Sequence, residues 1–498
     1  MQNTSNTNQT SPKEKLIDLS SVDFGDHRNL SMLFDFYEAT MANGYMLSKK
    51  ENTIAVFDLF FRKIPDLGGY VVMSGLSQVI EYLTNLHFTK NDIKYLESKK
   101  IFCKEFLDYL SNFKFCCDLY SVKEGTIIFP HEPIITVVGP LIQAQLIETM
   151  LLLCINHQSL IATKASRISR VAAGRPVMEF GSRRAQGFDG AIYGARAAYI
   201  GGCDFTSCAY SDEYFGIPAI GTMAHSWIQS FDSEYEAFKV WAETYPDYCV
   251  LLIDTYHAIN SGMKNALKVF KEVLGPLNKR PKGIRIDSGD LVSLTKECRK
   301  ILNESGYNDC KIIVSNSLDE YVIGKLLSDG ACIDSFGVGE RLITAKSEPV
   351  FGGVYKLVAI KKGENEFEPK IKISETVEKI TNPGFKRIVR LYDKTTHQAV
   401  CDVLCLKDET INETTEIILE DGQKVSNFYI DEIVIPVFKN GTCLYSEEKL
   451  DDVKNRAKEG ISKLDKHLIS LTKVEKPYPI VLSKELSKMK NDLMIKLS

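Results

Sequence analysis

Between about residue 165 and residue 345 the chain repeats one pattern, and that repetition constrains its fold more than any other feature. A short apolar run ends in glycine or polar residues, and a helical spacing of apolar residues follows. "PVMEF" runs into "GSRRAQGFDGAIYGARAAYIG"; "CDFTS" comes next, then "IPAIGTMAHS". "CVLLIDTY" leads into "HAINSGMKNALKVFKEVL", "KGIRIDSGD" into "LVSLTKECRKILNES" and "CKIIVSNSLDE" into "YVIGKLLSDG", and "IDSFGVGERL" ends the series. About seven strand–helix units joined by short connections call for parallel strands covered by helices. So many in line favour a closed or nearly closed β/α barrel over an open sheet. In such a barrel the chemistry gathers at the C-terminal ends of the strands.

The flanks have another character. Residues 30–130 mix helical patterns with short strands such as "GTIIFPHEPIITVV", and residues 350–440 are strand-rich. The expected fold is therefore α/β: an irregular β/α barrel over 161–346 beside a β-rich domain built from 29–160 and 347–498, with terminal helices. Residues 1–28 are expected to form a disordered polar tail. The most apolar run, Ile134 to Asn156, is broken by Pro140, Gln143, Gln145 and Glu148, which fits a strand and a buried helix better than a membrane span. A net charge of −4 offers no basic excess for nucleic acid or an anionic membrane. Thirteen scattered cysteines without CxxC or Cys/His ligand spacing point to reduced thiols in a cytoplasm and to no zinc site.

The strand-end rule collects a distinctive set of side chains. Arg183 and Arg184 offer fork-shaped cations suited to phosphate or carboxylate. Asp254, Asp287 and Asp290 suit sugar hydroxyls or Mg²⁺ with retained waters. Ser288–Gly289 and Gly337–Val338–Gly339 offer backbone N–H groups to a phosphate. Arg285 precedes Asp287 by two residues, so both point to one face of a strand. His225 stands where Ile217 to Ile220, read as a short buried strand, hands over to a helix beginning at Ser226. On spacing alone His225 serves equally well as a helix-terminal packing residue, and Tyr37 serves better as a core or interface aromatic. Taken together the set describes phosphosugar or nucleotide chemistry in a barrel.

Three of these stretches, "EFGSRRAQGFDGAIYGARAAYIGGCDFTS", "GIPAIGTMAHSW" and "GIRIDSGDL", closely resemble the nicotinate phosphoribosyltransferase family. "FDFYEATMANGYM", "FDLFFRKIP", "EGTIIFPHEPIITVVGPLIQAQLIET", "FGVGERLITAKSEPVFGGVYKLVAI" and "PYPIVLSKEL" extend the resemblance from about residue 30 to the C-terminus. The resemblance implies a type II phosphoribosyltransferase that joins nicotinate to 5-phosphoribosyl 1-diphosphate for NAD salvage. It implies coupling to ATP hydrolysis through a phosphohistidine, Mg²⁺, and a homodimer with shared active sites. His225 would be the phosphorylated residue, Thr222 would contact nicotinate, and Arg285 would pair with its carboxylate. Tyr37 would stack on the pyridine ring from the other subunit. Asp254 and Asp287 would hold ribose hydroxyls or magnesium, and Arg183 would reach the diphosphate or the base. Asn316, Gly337 and Gly339 would lie near the 5′-phosphate.

Two residues depart from the family's usual wording: Glu340, where a threonine is common, and His257, after "DTY". A carboxylate at 340 would repel a phosphate, so a contact there would come through the backbone N–H. The rival readings are a nicotinamide-using enzyme on the same barrel, an isomerase or aldolase using Glu179 or Lys282 as a base, and a non-catalytic regulator.

Overall fold

The computed structural model describes residues 29–363, 366–376 and 379–497. The tail expected over 1–28 lies outside them. Six short parallel strands form the heart of the molecule: β1 (Val177–Glu179), β2 (Phe205–Thr206), β3 (Val250–Leu252), β4 (Gly283–Ile286), β5 (Lys311–Val314) and β6 (Ser335–Val338). Their order is β2-β1-β6-β5-β4-β3, so the first strand pairs with the last and the sheet curls round on itself. A parallel bridge from Thr206 to Ala219 adds a seventh segment beside β2. Apart from this closing β1–β6 pair, every neighbour in the ring is also a neighbour in chain order, as a β/α barrel requires. Among the described residues, no ladder joins the Ala219 segment to β3, so the ring has one open seam.

The helices form for readable reasons. Leu291–Glu304 buries Leu291, Thr295, Cys298 and Leu302, a three-to-four-residue spacing that lays one stripe on the barrel. The Asp290 carboxylate accepts the Val292 and Ser293 N–H groups at its start. Asp290 is thus spent as a helix cap, and hydrogen bonding from Ser293 holds its pKa below the usual carboxylate value. Asp319 caps Glu320–Ser328 in the same way.

Two expectations about the 217–245 stretch need correction. Pro218 and Ala219 are exposed, and one bridge replaces the expected buried strand. The helix begins at His225 rather than Ser226 and is split into His225–Gln229 and Glu234–Thr244, because Ser233 caps the second piece.

Both flanks supply one antiparallel sheet. It holds Thr53–Phe61, Asp118–Val122 and Ile135–Pro140 from one side of the barrel and Gly353–Lys362, Glu368–Pro369, Val434–Lys439 and Thr442–Cys443 from the other. The apolar run at 134–156 becomes strand Ile135–Pro140, helix Leu141–Leu146 and the start of the long helix Glu148–Val171. No helix among the described residues is long and apolar enough to cross a membrane.

The long helix runs between sheet and barrel, and buried charges fasten it. Lys164 Nζ lies 3.0 Å from Asp66 and 2.9 Å from Glu320, while Arg167 Nε lies 2.9 Å from the same Glu320 oxygen. Such pairs give direction more than net stability, since desolvation offsets most of the Coulomb gain. A four-stranded sheet, Phe428–Glu432, Lys386–Asp393, Ala399–Leu406 and Ile480–Leu482 in that order, closes the C-terminal side. Beneath it Arg390 forks onto Asp402 at 2.8 and 2.6 Å, with the rings of Phe129 and Tyr478 within 5.9 Å of the guanidinium.

Candidate active site

The C-terminal ends of β1, β3, β4 and β5, with the segment across the seam, bring together most of the residues picked from sequence. Arg285 lies on β4, and its side chain is 15% exposed, enough for one edge to meet solvent. It spans four acceptors: Nε donates to Ser315 Oγ at 3.1 Å, Nη1 to Thr222 Oγ1 and the Met223 carbonyl at 3.3 Å, and Nη2 to Asp287 Oδ1 at 3.3 Å. A guanidinium has five N–H donors, so this one is almost fully bracketed by protein. The contacts at 3.3 Å are long and weak. Phe180, directly after β1, lies beneath the group, with its ring 5.7 Å from the guanidinium carbon.

The two aspartates differ. Asp254 is 9% exposed, and its Oδ2 accepts the Asp287 N–H at 2.8 Å and the Ser288 hydroxyl at 2.6 Å. Its other oxygen is buried with no hydrogen-bond partner. Asp287 is more open, accepts a short hydrogen bond from Ser315 and faces His225, whose Nε2 lies 3.8 Å from Asp287 Oδ2. His225 Nδ1 sits 3.1 Å from Thr255 Oγ1, a side-chain link across the open seam. His225, Thr222, Arg285, Asp254 and Asp287 therefore form one connected constellation.

The remaining candidates fare differently. Arg183 is exposed on the turn Ser182–Arg184, beside the mouth. Asn316 is exposed with φ of 102°, and Ser317 follows at 49°, so the loop after β5 holds two consecutive residues in left-handed backbone. That conformation is uncommon for residues other than glycine. Gly337 is buried, and the space its missing side chain leaves is filled by Phe180: a Cβ there would lie 2.6 Å from Phe180 Cδ2. Gly339 also lies against Phe180, with a Cβ reaching 3.3 Å from its carbonyl oxygen. Tyr37 stands elsewhere in this chain, on helix Phe36–Leu47, and is 45% exposed. Burial and the charge and hydrogen bond of Glu148 raise its phenol well above the ordinary value. Glu340 is paired with Lys346 at 2.7 Å, which lowers its pKa and offsets its charge. His257 is exposed just before an irregular helical stretch, Ala258–Met263.

Sequence reasoning passed over Phe180, Thr255 and Ser315. Phe180 and Ser315 directly follow a barrel strand and Thr255 is the third residue beyond one, so the strand-end rule alone picks them, although none carries a charge or is a glycine.

Residues 176–408 match the sequence model described as the nicotinate phosphoribosyltransferase (NAPRTase) family. Residues 32–156 match that of the family's N-terminal domain, and residues 385–490 that of its C-terminal domain. The nicotinate phosphoribosyltransferase of Bacillus subtilis is 42% identical over 463 residues, spanning 92% of this chain and 94% of its own. The Homo sapiens nicotinate phosphoribosyltransferase is 31% identical over 439 residues, covering 76% and 80%. The crystal structure of human nicotinic acid phosphoribosyltransferase superposes with a TM-score of 0.82 at 27% identity, covering 93% of this chain and 100% of that one. A nicotinate-nucleotide pyrophosphorylase from Pyrococcus furiosus shares the fold, with a TM-score of 0.67 at 23% identity over 87% and 96%.

Proposed function

This chain belongs to the nicotinate phosphoribosyltransferase family, and on that premise we propose that it joins nicotinate to 5-phosphoribosyl 1-diphosphate, forming nicotinate mononucleotide and diphosphate for NAD salvage. The observation that carries this reading is the Arg285 bracket, a fixed cation at the same mouth as Asp254, Asp287 and His225. Nicotinate differs from nicotinamide by a carboxylate. That group replaces the weak contacts from Arg285 to Thr222 and Met223 with a charge-assisted pair, which nicotinamide cannot offer. The pyridine ring then lies beside the Phe180 ring, and its nitrogen attacks the ribose carbon as the bond to diphosphate breaks. Positive charge builds on the ribose, and the carboxylates of Asp254 and Asp287 stabilise it.

The donor set also suits Mg²⁺. Asp254 keeps one buried oxygen without a partner beside the more open Asp287, and hard oxygen donors of this kind bind the ion together with phosphates and waters. Asp254 and Asp287 would hold the ion, which would supply positive charge to offset that of the diphosphate. ATP is a co-substrate. Its γ-phosphoryl passes to a ring nitrogen of His225, the bond to ADP breaks, and water later cleaves the phosphohistidine. Asn316, Gly339 and Arg183 serve the phosphate groups. The enzyme works in the cytoplasm as a homodimer in which Tyr37 of each subunit stacks on the base held by the other.

The test mixes purified protein, Mg²⁺ and phosphoribosyl diphosphate with nicotinate or nicotinamide, with and without ATP, and follows mononucleotide formation. Product from nicotinate, enhanced by ATP, with the enhancement lost in His225→Ala, is the expected result. Equal use of nicotinamide removes the role given to Arg285. Absence of product with either base removes the enzymatic reading.

A further inference from the structure

One buried carboxylate near the mouth takes no part in the chemistry above. Glu179 ends β1, is 0% exposed, and sits one residue before Phe180. It cannot reach a substrate as a base, because protein surrounds it. Its two oxygens instead hold two different loops. Oε1 accepts a short hydrogen bond from the Gly181 N–H, inside the turn that carries Phe180 and Arg183. Oε2 accepts the Thr206 hydroxyl at 3.0 Å, and Thr206 Oγ1 in turn accepts the Cys208 N–H at 3.0 Å. Thr206 is itself fully buried and pairs through its backbone with Pro218 and Ile220, at 3.1 and 2.8 Å. Those residues lead directly to Thr222, Met223 and His225.

We propose that Glu179 is a positioning residue for the base subsite. It clamps the Phe180 turn to the Thr206 end of β2, and through it to the 218–225 segment, so that Phe180 and the Thr222–Met223 acceptors both meet Arg285. The neighbouring glycine agrees with a clamp of this tightness: a Cβ at Gly181 would lie 2.8 Å from Glu179 Oε1 and 2.6 Å from Ile343 Cβ. Burial also raises the Glu179 carboxyl to about 7 against the opposing bonds from Gly181 and Thr206. The clamp works in either protonation state. A protonated Oε2 donates to Thr206 Oγ1 instead of accepting from it, and Oε1 keeps the Gly181 N–H.

That equivalence sets the test, which rests on the phosphoribosyl transfer proposed above. Wild-type turnover of nicotinate first checks that reading, separately from the variants. Glu179→Gln keeps both bonds, with its amide oxygen on Gly181 and its amide N–H on Thr206. Glu179→Leu fills similar volume and makes neither. The expected result is that Glu179→Gln keeps KM and kcat within about threefold of wild type. Glu179→Leu raises KM for nicotinate about tenfold or more, while KM for phosphoribosyl diphosphate stays within about threefold. Thr206→Val removes the far hydroxyl, with its bonds to Glu179 and the Cys208 N–H, and leaves the Gly181 bond in place; it gives the same split on a smaller scale, so the outcome does not depend on Glu179→Leu folding. A folded Glu179→Gln that has lost turnover overturns the proposal, since it makes the group a proton-transfer residue. Unchanged nicotinate KM in both Glu179→Leu and Thr206→Val, or an equal rise in both substrates' KM, overturns it as well.

Discussion

Replacing Gly337 by alanine introduces one methyl group at a place where two readings of the site diverge. From sequence, Gly337 offers bare backbone to the 5′-phosphate. In the structure its open side faces Phe180: the new Cβ would lie 2.6 Å from Cδ2, 2.8 Å from Cε2 and 3.3 Å from Ser315 Cβ. Carbon contacts settle at about 3.5–4.0 Å, so the ring must retreat by about 1 Å. The Phe180 backbone cannot follow, because its N–H is tied to the Val338 carbonyl at 2.8 Å. The ring therefore moves relative to Arg285. Overpacking of this kind costs about 1–3 kcal/mol in stability. If about 1.4 kcal/mol of it falls on the bound base, KM for nicotinate rises about tenfold. The assay is steady-state kinetics with each substrate varied in turn, beside a thermal melt. Nicotinate KM is expected to rise about tenfold while phosphoribosyl diphosphate KM stays within about twofold. The opposite split would refute the reasoning and return Gly337 to a phosphate-contacting role.

Other perturbations have equally definite outcomes. Arg285→Lys keeps a charge but loses the fork that spans Ser315, Thr222 and Asp287, so kcat/KM for nicotinate falls about 10- to 100-fold and selectivity over nicotinamide narrows. Arg390→Met leaves Asp402 buried without its cation and lowers stability by about 3–5 kcal/mol in denaturant titration, with both KM values unchanged. Glu179 also gives stability a pH dependence. Its carboxyl is raised from 4.5 to about 7 in the fold, so its contribution is complete below pH 4.5 and is lost as pH rises through 7. The loss reaches about 3 kcal/mol, and denaturation of wild type beside Glu179→Gln between pH 5 and 8 reads it as a steeper fall in the wild type. Thr255→Val removes the hydroxyl partner of His225 Nδ1 and lowers the ATP enhancement while leaving nicotinate KM in place.

The barrel was legible because its strands are short apolar runs, each closed by a polar or glycine signature, and that rhythm survives in one dimension. Arg285 and Asp287 were legible as a pair because strand residues two apart share a face. Asp290 is ambiguous in sequence because a carboxylate at a strand end and one at a helix start look alike, and only the Val292 and Ser293 N–H groups tell them apart. Sequence presents Gly337 as bare backbone and does not say that the Phe180 ring lies against it. Phe180 and Ser315 were missed because their importance lies in what stands across from them. The Ile217–Ile220 stretch has the composition of a buried strand, yet it lies at the seam with one bridge to Thr206 and, among the described residues, no ladder on its other edge.

That open seam changes what the barrel is mechanically. A ring laced shut by backbone ladders has a fixed circumference, because widening it breaks hydrogen bonds in every residue of a strand pair. Here the lacing stops at Ala219 and resumes at Val250, and a side-chain fastener, His225 to Thr255, spans the interval. Among the described residues the mouth thus lacks backbone lacing at one joint and has it at the others. The clasps on that joint are the His225 imidazole and the Arg285 guanidinium, which holds Thr222 and the Met223 carbonyl, so the seam is closed by two side chains of the candidate site.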